Sequence, residues 1–382
     1  MTLKKPKIII ILSLIAAIAV LAMVMVFLFV RRPADNYTNI STLGTPLITN
    51  ISDPETAIIR EGEVTSYQIT LNKTVSYTEG TIVADGPASV VFVSGGGTDY
   101  TVSVRGESGT GKVLLTIPDG TFNDSNGNET SEAFKAGLVV DNTDKLKLLV
   151  EEYLADDVDN IGLFFYDINS EVSFGIGEDE QVYPASVSKL HTVVSLYDFA
   201  FENKIDINKE IDYTRGDYEA GTGILQGMDL TRPYDLLTLS DYAIIHSDNI
   251  AFNMILRVAG REEIRKNYGK VVGHDAVTQS GVIYMSAKDS YLFMRKIYEN
   301  KEGNTLFSRL IDNMKNTTTA EKIAKYLPSG IVARKSGTFG AYSHDVAIVY
   351  DENPYILTVL TSSLGGSNEK IGQIAKLIHE NR

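Results

Sequence analysis

From Leu47 to Asp141 the apolar residues recur at every second position, in short runs such as TSYQITL (65–71), ASVVFVS (88–94), DYTVSVR (99–105) and GKVLLTI (111–117), separated by Gly, Asp and Asn. Period-two alternation with frequent turn residues suits strands that bury one face, and it predicts an antiparallel β-sandwich. After residue 142 the period changes. TDKLKLLVEEYL (143–154) places Leu146, Leu149, Val150, Tyr153 and Leu154 on one helical face, with Thr143 as a candidate cap. IGLFFYD (161–167) and EVSFGIG (171–177) read as a hairpin, and helical stretches follow at about 186–203 and 236–259. HDVAIVYDENPYILTVLTS (344–362) reads as two strands, and EKIGQIAKLIHEN closes the chain as a helix. Strands at both ends with helices between them predict one antiparallel sheet closed by distant segments and flanked by helices, plus a helical subdomain.

A third texture precedes both. Residues 8–30 run for 23 positions without a charge, long enough for a helix to cross the roughly 30 Å hydrocarbon layer. Residues 1–35 carry five basic side chains and one acidic, whereas the whole chain of 382 residues has a net charge of −14. The expectation is a multidomain chain: cytoplasmic tip and transmembrane anchor (1–35), tether and β-sandwich (36–141), and α/β domain (142–382). The expected location is a bacterial, Gram-positive cell membrane crossed once, with the soluble domains outside. The acidic excess disfavours nucleic acid as a partner. The absence of cysteine excludes disulfides, thiol nucleophiles and cysteine metal sites.

Two motifs in the sandwich region mislead. Gly106 to Lys112 imitates a phosphate-binding loop, but Val113 stands where a hydroxyl should hold magnesium, and the run that follows is strand-like. Asp119, Asp124, Asn126 and Asn128 could offer oxygens to calcium, yet these residue types also make turns.

Three motifs in the last domain carry chemistry. Ser186-Val187-Ser188-Lys189 follows Tyr183-Pro184-Ala185. Pro184 suits a helix start, which would put Ser186 at its positive end with Lys189 one turn on. A serine hydroxyl needs a base, and a desolvated neutral lysine can serve. Ser247-Asp248-Asn249 interrupts an apolar helical pattern with three polar residues, a costly arrangement unless it is hydrogen-bonded or faces a cleft. Lys335-Ser336-Gly337, running into Thr338, falls where a strand is expected; a lysine there can anchor a carboxylate, and glycine permits close backbone approach. A second Ser-x-x-Lys, Ser367–Lys370, reads only as the start of the terminal helix.

The order and spacing of these motifs, 61 and then 88 residues apart, resemble those of the penicillin-recognising active-site-serine hydrolases. Residues 142–382 resemble class A β-lactamases and their D-alanyl-D-alanine peptidase relatives, and YPASVSKL and HSDNIAFNMIL look like that family's helices. Residues 47–141, especially IPDGTFNDSNGN, resemble bacterial immunoglobulin-like repeats, which implies a spacer or wall-contact role. The first resemblance implies an α/β β-lactamase-like domain that needs no cofactor and no metal. It implies Ser186 as nucleophile, Lys189 as base and Ser247 as proton relay to the leaving nitrogen. Asn249 would orient the substrate amide, and Lys335 with Ser336 would hold its carboxylate. The backbone N–H groups of Ser186 and Thr338 would form the oxyanion hole, with Tyr218–Gly223 edging the cleft. The implied substrates are β-lactams or D-alanyl stem peptides of the cell wall. The alternatives are a true β-lactamase with an unusual deacylating base, and a non-catalytic wall-binding or sensory module.

One departure affects turnover. Class A β-lactamases carry a loop glutamate that activates water against the acyl-enzyme. The corresponding stretch here, 267–290, contains no glutamate, and Asp275 is its only carboxylate before the next predicted helix. Acylation is expected to survive and ester hydrolysis to slow, unless Asp275 substitutes.

Overall fold

The structure, a computed structural model, describes residues 44–319 and 321–382. The expected fold class is corrected on one point: no helix among the described residues is long and apolar enough to cross a membrane. One of the longest, Ser367–Asn381, has 15 residues, which at about 1.5 Å each falls short of a hydrocarbon layer of roughly 30 Å. The fold class that the structure supports is a β-sandwich followed by an α/β domain. The segment predicted to span the membrane, 8–30, lies outside the described residues.

The sandwich consists of two sheets. One joins Ile48–Ile51, Val64–Tyr77 and Ala88–Gly106, with Phe122–Asn123 paired to the second of these; the other runs Ile58–Ile59, Ala133–Val140, Gly111–Ile117, Val83–Asp85. Alternation does the work the sequence suggests: Tyr67 and Ile69 from the first sheet meet Leu115, Ile117, Leu138 and Val140 from the second in one fully buried core. The phosphate-loop imitation is two strand ends and a turn, since strands stop at Gly106 and resume at Gly111. Asp124 turns its oxygens on its own loop, accepting from the backbone of Asn126 and Asn128 at 2.8 and 3.0 Å.

In the second domain, strands β1 (Ile161–Asp167), β2 (Ser173–Ile176), β3 (Val332–Phe339), β4 (Tyr342–Val349) and β5 (Tyr355–Ser362) form one antiparallel sheet in the order β2-β1-β5-β4-β3. Closure by distant segments is direct: β1 pairs with β5, Tyr355 opposite Asp167 and Thr361 opposite Ile161. All seven residues of β1 are buried because helices cover both faces. Helices α1 (Thr143–Leu154) and α8 (Ser367–Asn381) pack Leu146, Val150, Ile371 and Ile374 on one face. The other face carries α2 (Ser188–Phe201), α3 (Leu236–Ile245), α4 (Asn249–Ala259), α5 (Arg261–Val272), α6 (Ala287–Asn300) and α7 (Thr305–Lys315). The second Ser-x-x-Lys begins α8, with Lys370 paired to Asp157.

At the junction of sandwich and α1, the cap differs from expectation. Thr143 is the first helical residue and Asn142 precedes it. The Asn142 side chain does not cap; it accepts from Glu61 N at 3.0 Å and donates to the carbonyls of Glu107 and Gly109. Its own N–H donates to Thr110 Oγ1 at 3.1 Å. One buried amide thus joins helix start to sandwich. Asn142→Ala leaves three backbone groups without these partners and is expected to cost about 1–3 kcal/mol, read as a lower urea midpoint. Limited proteolysis should show faster cleavage near residues 107–110 than in the wild type.

Candidate active site

The three motifs converge at the edge strand β3 and the start of α2. Ser186 lies in a 3₁₀ turn, Ala185–Val187, and the α-helix begins at Ser188, so the serine precedes the helix by one turn rather than opening it. Ala185 is held at φ +46°, a conformation costly for a residue with a Cβ, and its carbonyl is bound by Ser188 Oγ at 2.7 Å. Lys189 projects back along the same face. Its Nζ donates to Ser186 Oγ at 2.9 Å and to Asn249 Oδ1 at 2.8 Å.

The apolar stretch 236–259 breaks at the second motif, as its polar residues require. Helix α3 ends at Ile245, Ser247 turns through φ +53°, and Asp248 caps α4 by accepting from Ala251 N at 2.9 Å. The other Asp248 oxygen accepts from Ile224 N and Leu225 N at 2.6 and 2.8 Å. The Ser247 carbonyl is held by Thr222 Oγ1 at 2.7 Å. A side chain at Gly223 would overlap Asp248, which explains that glycine. The stretch predicted to edge the cleft therefore lies against it: Asn249 Nδ2 donates to Ala220 O at 3.2 Å.

The third motif reaches the other two through Lys335 and Gly337. Lys335 is fully buried, and its Nζ donates to Ser247 Oγ at 3.1 Å and Ser336 O at 2.8 Å. A Cβ on Gly337 would stand 2.9 Å from Ser186 N and 3.0 Å from Val187 N, so only glycine lets β3 pass against the nucleophile's backbone. Ser336 Oγ donates to Thr319 Oγ1 at 2.8 Å, so this hydroxyl, expected at the substrate carboxylate, is engaged from behind. Thr338, on the exposed end of β3, has its hydroxyl bound by Lys322 Nζ at 3.0 Å.

Burial sets the electrostatics. It pushes Lys189 down to about 8, opposed by the negative charges of Glu219 and Asp248. Burial also holds Lys335 well below the ordinary lysine range, and the nearby Lys189 charge adds to the effect. A neutral amine on Lys189 is therefore accessible near neutral pH, with its nitrogen at hydrogen-bond distance from the serine hydroxyl.

Several participants carry no signal in the sequence. Lys322, fully buried, donates to Gly337 O at 2.9 Å and His344 O at 2.9 Å as well as to Thr338, tying β3 to β4 where the oxyanion hole is expected. Asp345 faces it from β4 and holds Ile323 N at 3.0 Å; a carboxylate inside the apolar run HDVAIV was the one available hint. His344 is structural: it accepts from Thr361 N at Nδ1 and lies 2.8 Å from Tyr183 O through Nε2. Burial lowers it to about 4.

A cavity of about 560 Å³ is lined by Ala185 and Ser188, which flank Ser186 in the chain, and by Thr192, Glu219, Phe252 and Val282 among others. The stretch 267–290 gives it no carboxylate. Residues 267–272 end α5, and Asp275 lies at a different hollow, with Arg265, Lys266 and Gly273. Asp275 is thus corrected as a candidate base, because its place in the fold is outside the cavity beside Ser186. Among the described residues there is no cluster of three or more His, Cys, Asp or Glu able to hold a metal.

An edge strand, a serine in the turn before a buried helix and a desolvated lysine at hydrogen-bond distance from it have the composition of a serine acyl-transfer site. A model of the β-lactamase enzyme family matches residues 144–381, and the chain belongs to that family. Its relatives indicate serine hydrolase activity. Beta-lactamase SME-1 of Serratia marcescens is 25% identical over 234 residues, 55% of this chain and 78% of that protein. Among solved structures, PBP-A superposes with a TM-score of 0.57 at 22% identity, covering 62% of this chain and 95% of its own. The TLA-1 extended spectrum β-lactamase does so with a TM-score of 0.57 at 20% identity, over 63% and 99%. A mutant of PBP-A has been solved as an acyl-enzyme complex with penicillin-G.

Two outcomes follow from the geometry. Gly337→Ala should displace the Ser186 backbone and slow acylation by roughly 10²-fold, measured as the rate of covalent labelling by a fluorescent penicillin, with the circular dichroism spectrum unchanged. If neutral Lys189 is the base, the labelling rate should rise as pH increases toward about 8 and level off above it; a rate constant between about pH 6 and 9 would exclude that role.

Proposed function

We propose that this chain is an extracytoplasmic serine hydrolase of the penicillin-binding type, in which β-lactams or D-alanyl cell-wall peptides acylate Ser186. The observation that carries it is the hydrogen bond from a desolvated Lys189 to Ser186 Oγ, with Ser247 joined to Lys335 by a second. Neutral Lys189 takes the serine proton as Oγ attacks the amide or lactam carbonyl. The developing oxyanion is received by the backbone N–H groups of Ser186 and Thr338. Ser247 passes a proton to the leaving nitrogen, replenished through Lys335. Asn249 orients the substrate amide, and the substrate carboxylate approaches the Lys335, Ser336 and Thr338 edge of β3. The approach of an anion would favour the charged form of Lys335 and offset its desolvation. The sandwich, read as an immunoglobulin-like module, would act as a spacer or wall contact.

A purely binding or sensory module is the weaker reading, because binding alone does not call for a strained nucleophile turn with a base at 2.9 Å. The test is intact mass against time for the chain mixed with benzylpenicillin. A gain equal to the whole drug, mapped to the peptide containing Ser186 and absent in Ser186→Ala, is expected. Reversible binding with no covalent gain and no drug consumed would establish the binding module instead.

A further inference from the structure

We propose that Glu219 is the general base that delivers water to the Ser186 ester, from a cavity that is also lined by the stretch where related enzymes carry that base. The proposal rests on the acylation of Ser186 argued above. Two glutamates line the cavity, Glu219 and Glu262. Glu262 is committed, with both its oxygens held by Arg265 at 2.9 and 2.8 Å. Glu219 has no ion pair among the described residues; its Oε2 accepts a hydrogen bond from Asn253 Nδ2 at 3.0 Å, which leaves lone pairs for a water molecule.

The carboxylate is fixed in place by one helix face. Asn249, Asn253 and Arg257 recur every four residues along α4, and all three bind the loop that bears Glu219. Arg257 grips the Asp217 carboxylate at 2.9 and 3.0 Å, Asn253 also reaches Asp217 O at 3.3 Å, and Asn249 holds Ala220 O at 3.2 Å. The same Asn249 accepts from Lys189 through its Oδ1. A single side-chain amide therefore separates the catalytic ammonium from the residue that follows Glu219. Phe252, between Asn249 and Asn253, lines the cavity with its ring 5.4 Å from Lys189 Nζ.

His191 and Thr192, both on α2, also line the cavity; His191 Nδ1 and Thr192 Oγ1 are buried and have no hydrogen-bond partner among the described residues. Buried polar groups of this kind are ordinarily satisfied by a ligand or by ordered water. A cavity of this volume, with a carboxylate in its lining that keeps lone pairs free, can hold the water that hydrolysis consumes.

The step balances without any further reactant. Glu219 takes a proton from water while the water oxygen bonds to the ester carbonyl carbon. The tetrahedral adduct collapses with cleavage of the bond between that carbon and Ser186 Oγ. The proton returns to Oγ through Lys189, which frees a carboxylic acid and restores Ser186 and Glu219.

The experiment is rapid-quench intact mass with benzylpenicillin on the wild type and on Glu219→Gln, scoring formation and decay of the Ser186 adduct separately. The expected result is a decay rate lowered by roughly 10²- to 10⁴-fold, with formation changed by less than about tenfold. Removing the negative charge should also move the rising limb of the acylation pH profile to lower pH, because Glu219 opposes the depression of Lys189. Asn253→Ala, which keeps the carboxylate but frees it, should give an intermediate decay rate. An adduct that decays equally fast in Glu219→Gln and wild type overturns the proposal while leaving Ser186 acylation intact. If neither protein forms an adduct nor consumes the drug, acylation itself is wrong, and the role of Glu219 falls with it.

Discussion

Two desolvated ammonium groups hold the three parts of this site together, and the rest of the catalytic domain is arranged to keep them dry. Lys189 joins the nucleophile turn to Asn249 at the start of α4, and Lys335 joins β3 to Ser247 at the end of the preceding turn. Burying two cations near each other is expensive, and each lowers the affinity of the pair for protons. The pair is therefore best served by carrying less than its full charge, which is the condition a lysine base requires. The cost is limited by hydrogen bonds that do not depend on charge. Lys189 rests on the side-chain oxygens of Ser186 and Asn249, and Lys335 on the Ser247 hydroxyl and the Ser336 carbonyl.

The same reasoning explains the positive φ angles at Ala185 and Ser247. Each lies where a helix start or end must be turned sharply to aim a serine hydroxyl at a lysine, and each is held by a neighbouring hydroxyl, Ser188 for the first and Thr222 for the second. Gly337 supplies the space between them. Local strain of about 1–3 kcal/mol per residue is tolerable because β1 and most of α2 are buried.

Much of this was legible in the sequence, and what was not has a common cause. The change of period near residue 142, the closure of the sheet by its first and last strands, and the three motifs are properties of short stretches, which periodicity and residue type report. Lys322, Thr319, Asn142 and Asn253 matter because of what folds against them from 15 to 81 positions away. In the sequence Lys322 is indistinguishable from the exposed lysines around it. The Asn249, Asn253, Arg257 ladder was readable in principle as a polar stripe at helical spacing, but the chain it binds could not be foreseen. Asp275 misled for a related reason: position along the chain suggested a place in the cleft, and the end of α5 carried it elsewhere.

The stretch that lacks a glutamate is well built for another purpose. Asp289 at the start of α6 accepts from Gln181 at 2.9 Å, from Tyr268 OH at 3.0 Å and from Ser286 N at 3.1 Å, and meets His274 at 2.9 Å. Val182 and Met285 pair through their backbones at 3.0 and 3.1 Å. The short connection is thereby clamped to the segment that leads into the nucleophile, and its one buried carboxylate is consumed in the clamp. A connection so tied supports Tyr183 and Pro184 but cannot also project an acid over Ser186. The cavity is also lined by Glu219, from the Asp217–Gly223 loop that α4 holds by three side chains. Side-chain hydrogen bonds hold both the connection and the loop, and of the two only the loop brings the cavity a carboxylate, one outside any ion pair among the described residues.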